Sequence, residues 1–146
     1  TREVLNDILV NLFFEILEME ERELIKGEFK NISVNDMHII DAIEPGEGKN
    51  MSAIAKIQGV TIGSLSTSMN SLVKKGYVER VRSQEDRRVV LLSMSEKGRK
   101  AYEHHKIFHE NMIKATVDKL TETEKETLAK ALVNLKTYFE EYKTSE

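Results

Sequence analysis

Apolar side chains recur at three- and four-residue steps along most of this 146-residue chain, and the period shortens to that of strands only between residues 77 and 93. That pattern restricts the fold to helices packed around one small hairpin. Leu5, Ile8, Leu9, Leu12, Ile16 and Met19 place one helix over residues 4–26, with Glu15, Glu18 and Glu21 at other positions. Ser33, with Asp36 three residues on, opens a second helix carrying Met37, Ile39, Ile40 and Ile43. EPGEGKN, residues 44–50, is a loop by composition and holds the single proline, Pro45. Two short helices follow, 51–58 and 62–75, with a tight connection at Gly59. Gly76 closes the second, because a left-handed terminal residue costs glycine nothing. Tyr77–Arg82 and Arg88–Ser93, rich in valine or leucine and joined by SQED, form a β-hairpin. Ser95 starts a long helix to Leu120, and Thr121 with Glu124 makes a capping box that opens the last, to Tyr142.

Composition narrows the chemistry. With no cysteine, disulfides, thiolate metal sites and cysteine nucleophiles are excluded, and a reducing cytoplasm is the expected location. No apolar run approaches the roughly 20 residues that span a membrane, and the N-terminus has no basic-then-apolar signal pattern. The net charge of −3 conceals an asymmetry: ten Lys/Arg face four Asp/Glu in residues 51–100, but five face twelve in residues 1–50 and seven face nine in residues 101–146. A basic middle between acidic ends suits a chain whose centre meets a polyanion.

The basic middle has a reading helix and a wing. Two steeply crossing helices need a small residue at closest approach and a glycine in the turn, which Ala55 and Gly59 supply. On the second helix Leu65, Met69, Leu72 and Val73 form a stripe for the core. Gly63, Ser64, Thr67, Asn70, Ser71 and Lys74 fall opposite, and Thr61 stands at the helix start. Short polar side chains let a helix sink into the major groove and bond to base edges and phosphates. Serine and threonine are mediocre helix formers, so stability alone gives no motive for that face. The hairpin sets Arg82, Arg87 and Arg88 at or beside its tip, where a wing reaches the minor groove or clamps the backbone. Asp86 among them would repel phosphate if free, so it is expected to aim Arg82 or Arg88.

From Ala53 to Arg99 the chain resembles the MarR family: a helix-turn-helix, then KKGYVER, DRR, an apolar strand and SEKGR. NISVNDMHIIDAI, VTIGSLSTSMNSLVKKGYVERVRSQEDRRVV and HKIFH are most similar to its fatty-acid-biosynthesis repressor (FabT) branch. The resemblance implies a mainly α fold over residues 1–146. On that resemblance a winged helix-turn-helix DNA-binding lobe is expected over 33–94 and dimerisation helices over 1–32 and 95–146. It also implies a homodimeric repressor of lipid-synthesis genes, a pseudo-palindromic double-stranded DNA operator, and acyl carrier protein bearing an acyl chain as corepressor, with no membrane partner and no resident cofactor.

Surplus apolar surface also points to a dimer, the alternative being a helical bundle closed within one chain. Leu128, Leu132, Leu135, Phe139 and Tyr142 make a stripe on the last helix that a small wing domain cannot cover. One reading helix specifies few bases, whereas a twofold pair reads half-sites roughly 34–36 Å apart.

The effector stays open. His105 and His109 share a helix face, and with Glu23 and His38 they offer a four-ligand N/O zinc site like that of zinc-uptake repressors in the family. Alternatively the four histidines, His104 included, couple the dimer helices to the DNA-binding core through hydrogen bonds. Phe13, Phe14, Met37, Phe108 and Met112 would line an apolar effector cavity, with His38, His105 and His109 beside it, although such residues are more often core. No phosphate loop, nucleophile motif or Ser-His-Asp constellation points to an enzyme, and the five carboxylates between Glu15 and Glu23 read as a solvated face. A wing that binds protein instead of DNA is the remaining competitor, and salt-sensitive duplex binding separates the two.

Overall fold

The computed structural model describes residues 1–145 and contains six helices and one antiparallel hairpin in the expected order. The helices are α1 (Arg2–Lys26), α2 (Val34–Ile43), α3 (Met51–Gln58), α4 (Ile62–Lys74), α5 (Glu96–Val117) and α6 (Glu122–Thr144); strands β1 (Val78–Arg82) and β2 (Val90–Met94) lie between α4 and α5. The chain divides into two compact units, Thr1–His105 and Lys106–Glu146, and α5 contributes residues to both.

In the first unit side chains fix the starts of α2, α3 and α4. Ser33 and Asp36 form a reciprocal capping box on α2, Asn50 accepts the Ala53 N–H to start α3, and Thr61 accepts the Ser64 N–H to start α4. Each satisfies a donor that the first helical turn leaves orphaned, typically worth about 1 kcal/mol. Gly59 and Gly76 adopt left-handed backbone at φ +67° and +85°, as a sharp exit from α3 and α4 demands.

The core gathers one face of every element in this lobe. Met37, Ile40 and Ile43 from α2, Ile54 from α3, Met69 and Leu72 from α4, then Tyr77, Val78 and Leu92 are all at most 2% exposed. Tyr77 begins the wing in sequence but closes α4 in the structure. Its N–H donates to Leu72 O, its carbonyl accepts the Ser95 N–H, and its phenol bonds Asn31 Oδ1. Burial pushes that phenol above the usual tyrosine range. At Gly98, in the SEKGR segment, a Cβ would lie 2.0 Å from the Tyr77 carbonyl oxygen, so only glycine lets α5 cross there.

The hairpin is shorter and shifted relative to the sequence expectation. Val78 pairs with Met94 and Arg82 with Val90, whereas Arg88 and Val89 belong to the turn. The reason is Asp86: its carbonyl accepts the Val89 N–H and its carboxylate the Arg88 N–H, so both amides are spent before the ladder begins. Lys49 adds an isolated bridge to Leu92, tying the 44–50 loop to the edge of the wing.

The second unit begins within α5 and includes α6. Thr121 and Glu124 form the expected capping box, and no described residue beyond His105 is buried.

Candidate nucleic-acid interface

Leu65, Met69 and Leu72 anchor α4 in the core with Val73 half-buried, which fixes the helix's rotation about its own axis. Gly63, Ser64, Thr67, Asn70 and Lys74 are consequently exposed together, and Ser71 is half-buried at the margin. Thr61 is exposed as well, but its hydroxyl serves the helix cap. The outward face is therefore small, polar and uncharged up to Lys74, the shape a major groove admits.

Beside it the wing carries its cations in two settings. Arg82 Nη1 donates to the Arg87 carbonyl at 2.9 Å, which pins the strand's end to the turn. Arg88 forms a two-pronged pair with Asp86, Nε and Nη2 each 3.0 Å from a carboxylate oxygen. Of the two arginines open to Asp86 in the sequence reading, Arg88 is its partner. Its guanidinium and backbone N–H hold the Asp86 carboxyl below the usual carboxylate range, and the pair raises the Arg88 guanidinium in return. The Arg88 side chain is 91% exposed, so the fork is held at the surface, open to an incoming anion. One residue escaped the sequence reading: Arg80 on β1, whose Nη2 donates to Asn70 Oδ1 on α4. Strand alternation and the hairpin register contained the signal, since Arg80 shares a face with buried Val78.

A second polar cluster lies in the same unit. Glu20, 4% exposed, accepts on both oxygens: His38 Nε2 lies 3.1 Å from Oε2 and His105 Nε2 lies 3.3 Å from Oε1. His105 Nδ1 is 3.0 Å from Asp41 Oδ2, and the His38 and His105 rings stack with centroids 5.8 Å apart. The ligand-type atoms of Glu20, His38 and His105 all fall within 4.8 Å of one another. The carboxylate here is Glu20, not the expected Glu23, whose Oε1 lies 3.8 Å from His104 Nε2 instead. Helix geometry accounts for the change: Glu20 sits one turn before Leu24, and these are the two buried residues of α1, whereas Glu23 lies on the adjoining strip.

The other effector candidates are dispersed by environment. Met37 is 1% exposed inside the core, while Phe13 and Phe14 are 63% and 69% exposed on α1. Phe108 and Met112 are half-buried on the part of α5 in the second unit, where the Phe108 and His109 rings meet edge to face.

Residues 22–105 match the family described as transcriptional regulator SarA/Rot. Among sequence relatives, the HTH-type transcriptional regulator YpoP of Bacillus subtilis is 26% identical over 98 residues, covering 67% of each chain. SarZ of Staphylococcus haemolyticus, another HTH-type transcriptional regulator, is 30% identical over 95 residues, 62% of this chain and 65% of that protein. The chain thus spans no more than about two thirds of the length of these relatives. A solved structure matches nearly end to end: FabT of Streptococcus pneumoniae in complex with DNA, 39% identical, covering 97% of this chain and 99% of that one, with a TM-score of 0.90.

Proposed function

Since the chain belongs to the SarA/Rot family of MarR-type winged-helix transcriptional regulators, we propose that it binds duplex DNA as a homodimer, with α4 in the major groove and the wing on the flanking backbone. The observation that carries this reading is the exposed, small and polar face of α4, beside a hairpin that holds arginines at its surface. Thr67, Asn70 and their neighbours reach base edges, Lys74 and Arg88 reach phosphates, and Arg82 with Arg87 shapes the wing that delivers them. Two copies joined through the helices flanking the 33–94 lobe read the halves of a pseudo-palindromic operator. No helix among the described residues is long and apolar enough to cross a membrane. Binding to DNA is what places the proposed site of action in the cytoplasm. Labelled random duplexes test the core of the reading. Affinity must fall steeply with added salt, and salt-independent binding would leave the wing to a protein partner.

For the pathway we propose repression of fatty-acid-synthesis genes, strengthened by acyl carrier protein that bears a long acyl chain. Support for this lies in the extent of the match to FabT, which covers almost the whole chain. A second reading has its own observation. Glu20, His38 and His105 supply one carboxylate and two imidazoles around one point, and Asp41 orients His105 through Nδ1 as carboxylates orient zinc-binding histidines. In that reading zinc tightens DNA binding. Titrating acylated carrier protein and zinc separately against one labelled operator decides between them. An effector acts only through its differential affinity for the DNA-competent state, typically 5- to 150-fold. Response to zinc with none to the acylated carrier protein would overturn the first reading.

A further inference from the structure

Val78, Arg80 and Arg82 share one face of β1 by strand alternation, and Leu92 stands opposite Arg80 across the hairpin. Val78 and Leu92 are each 2% exposed, so this face is rooted in the core and Arg80 extends it outward. From there its guanidinium reaches α4, where Nη2 donates to Asn70 Oδ1 at 2.5 Å. Both residues are otherwise exposed. A guanidinium carries donors only, so the chemistry of the pair dictates which end of the Asn70 amide faces it. The carbonyl turns to Arg80 and the Nδ2 donors turn away.

Asparagine reads adenine with both ends of its amide: Nδ2 gives to N7 and Oδ1 accepts from the N6 amino group. In Asn70 one lone pair of Oδ1 is taken by a cation, and an amino group approaching that end of the amide meets the guanidinium beside it, donor to donor. With Oδ1 turned to Arg80, Asn70 offers the base donors alone, through Nδ2. Guanine presents two acceptors in the major groove, O6 and N7. We infer that Arg80 is a positioning residue that sets base specificity through Asn70, so that the pair selects guanine over adenine at one position in each operator half-site. The inference rests on the DNA-binding reading above and sharpens it.

Selection from a pool of random duplexes by the purified full-length protein, followed by sequencing, tests it. The wild type should enrich guanine over adenine at one position per half-site. Arg80→Met keeps the stem and removes every donor; it should move the guanine-to-adenine ratio there by about tenfold toward adenine, because Asn70 regains its acceptor. Asn70→Asp keeps a partner for Arg80 but loses the amide donors. It should lower guanine enrichment by a similar factor and favour cytosine, whose N4 amino group donates. In an Asn70→Ala background, Arg80→Met should leave base preference unmoved. A uniform loss on all duplexes from Arg80→Met, with the salt slope reduced by about one unit and base ratios unchanged, would make Arg80 a phosphate contact and overturn the inference. An unaltered selection overturns it too. If the wild type enriches no duplex at all, the DNA-binding reading itself fails, which distinguishes the two.

Discussion

In the lobe built from α2, α3, α4 and the wing, Ile40, Ile54 and Leu72 are sealed from solvent completely, while along α6 Leu132, Val133, Phe139 and Tyr142 each keep half or more of their surface exposed. Both regions present apolar residues at helical spacing. α1 resembles α6: none of its first 18 residues is buried, and Leu5, Ile8, Phe13 and Phe14 are all more than half exposed. Periodicity shows which face of a helix is apolar but not what covers it. Fully burying one such side chain is worth about 1.5–3 kcal/mol, so α1 and α6 carry stabilisation that the single chain does not realise and that association can.

The largest expected effect comes from removing that cover. Leu132→Asp puts a charge on the exposed stripe of α6, and sedimentation should show monomer where the proposed association would make the wild type a dimer. Affinity for a two-half-site duplex should fall by about a hundredfold or more, because the second half-site is no longer tethered. Wild-type protein that sediments as a monomer at micromolar concentration would break the contrast, since the exposed stripes would then have no partner.

Leu72→Ala probes the other side. Cutting back a fully buried leucine should cost about 2–5 kcal/mol of folding stability, by the same amount at every protein concentration. Leu132→Ala should instead shift the melting midpoint more at low concentration than at high, because its loss falls on association. Equal, concentration-independent shifts from both would show that α6 is packed within its own chain.

The same contrast separates what was legible in the sequence from what was not. The starts of α2 and α6 were readable because Ser33 and Thr121 act on backbone amides three residues away, and such local chemistry survives any tertiary context. The outward face of α4 was readable because Leu65, Met69 and Leu72 fix the rotation of the helix. Strand ends were less so: Tyr77 has the composition of a strand residue, but its backbone groups are claimed by Leu72 and Ser95. Glu20 was hidden among the carboxylates between Glu15 and Glu23, which differ only in the strip of helix they occupy. Its partners lie 18 and 85 residues away, a separation that spacing rules do not reach. The Arg80–Asn70 bond joins residues only 10 apart and escaped for a different reason, since it needs the wing's register and the rotation of α4 together.

Within the lobe, Thr67→Ala sharpens the division between reading and holding. Thr67 is exposed at the middle of the outward face of α4 and plays no part in the core. Losing its hydroxyl should leave the melting temperature unchanged, cost about 1–3 kcal/mol on the selected operator and little on random duplex. Equal losses on both would move Thr67 from base reading to backbone positioning.

The smallest effect belongs to the wing tip, where the sign matters more than the size. Arg88→Ala should weaken binding to all duplexes a few-fold and reduce the slope of log affinity against log salt by about one unit, as one phosphate contact is lost. Asp86→Asn asks what the acidic partner does. If Asp86 only neutralised Arg88, replacing it would add one net positive charge and tighten binding. The geometry favours the opposite result, because Asp86 takes Nε and one Nη2 hydrogen of Arg88 and leaves its other donors directed outward for a phosphate. An aspartate is ionised throughout the neutral range even without a partner, and the Arg88 guanidinium moves the Asp86 carboxyl further the same way, so the pair persists under ordinary binding conditions. Asp86→Asn should therefore lower affinity despite the gain in positive charge, without altering base preference. Titrations of both variants between about 50 and 200 mM salt measure the two effects together, and tighter binding by Asp86→Asn would reduce Asp86 to a neutralising charge with no part in aiming Arg88.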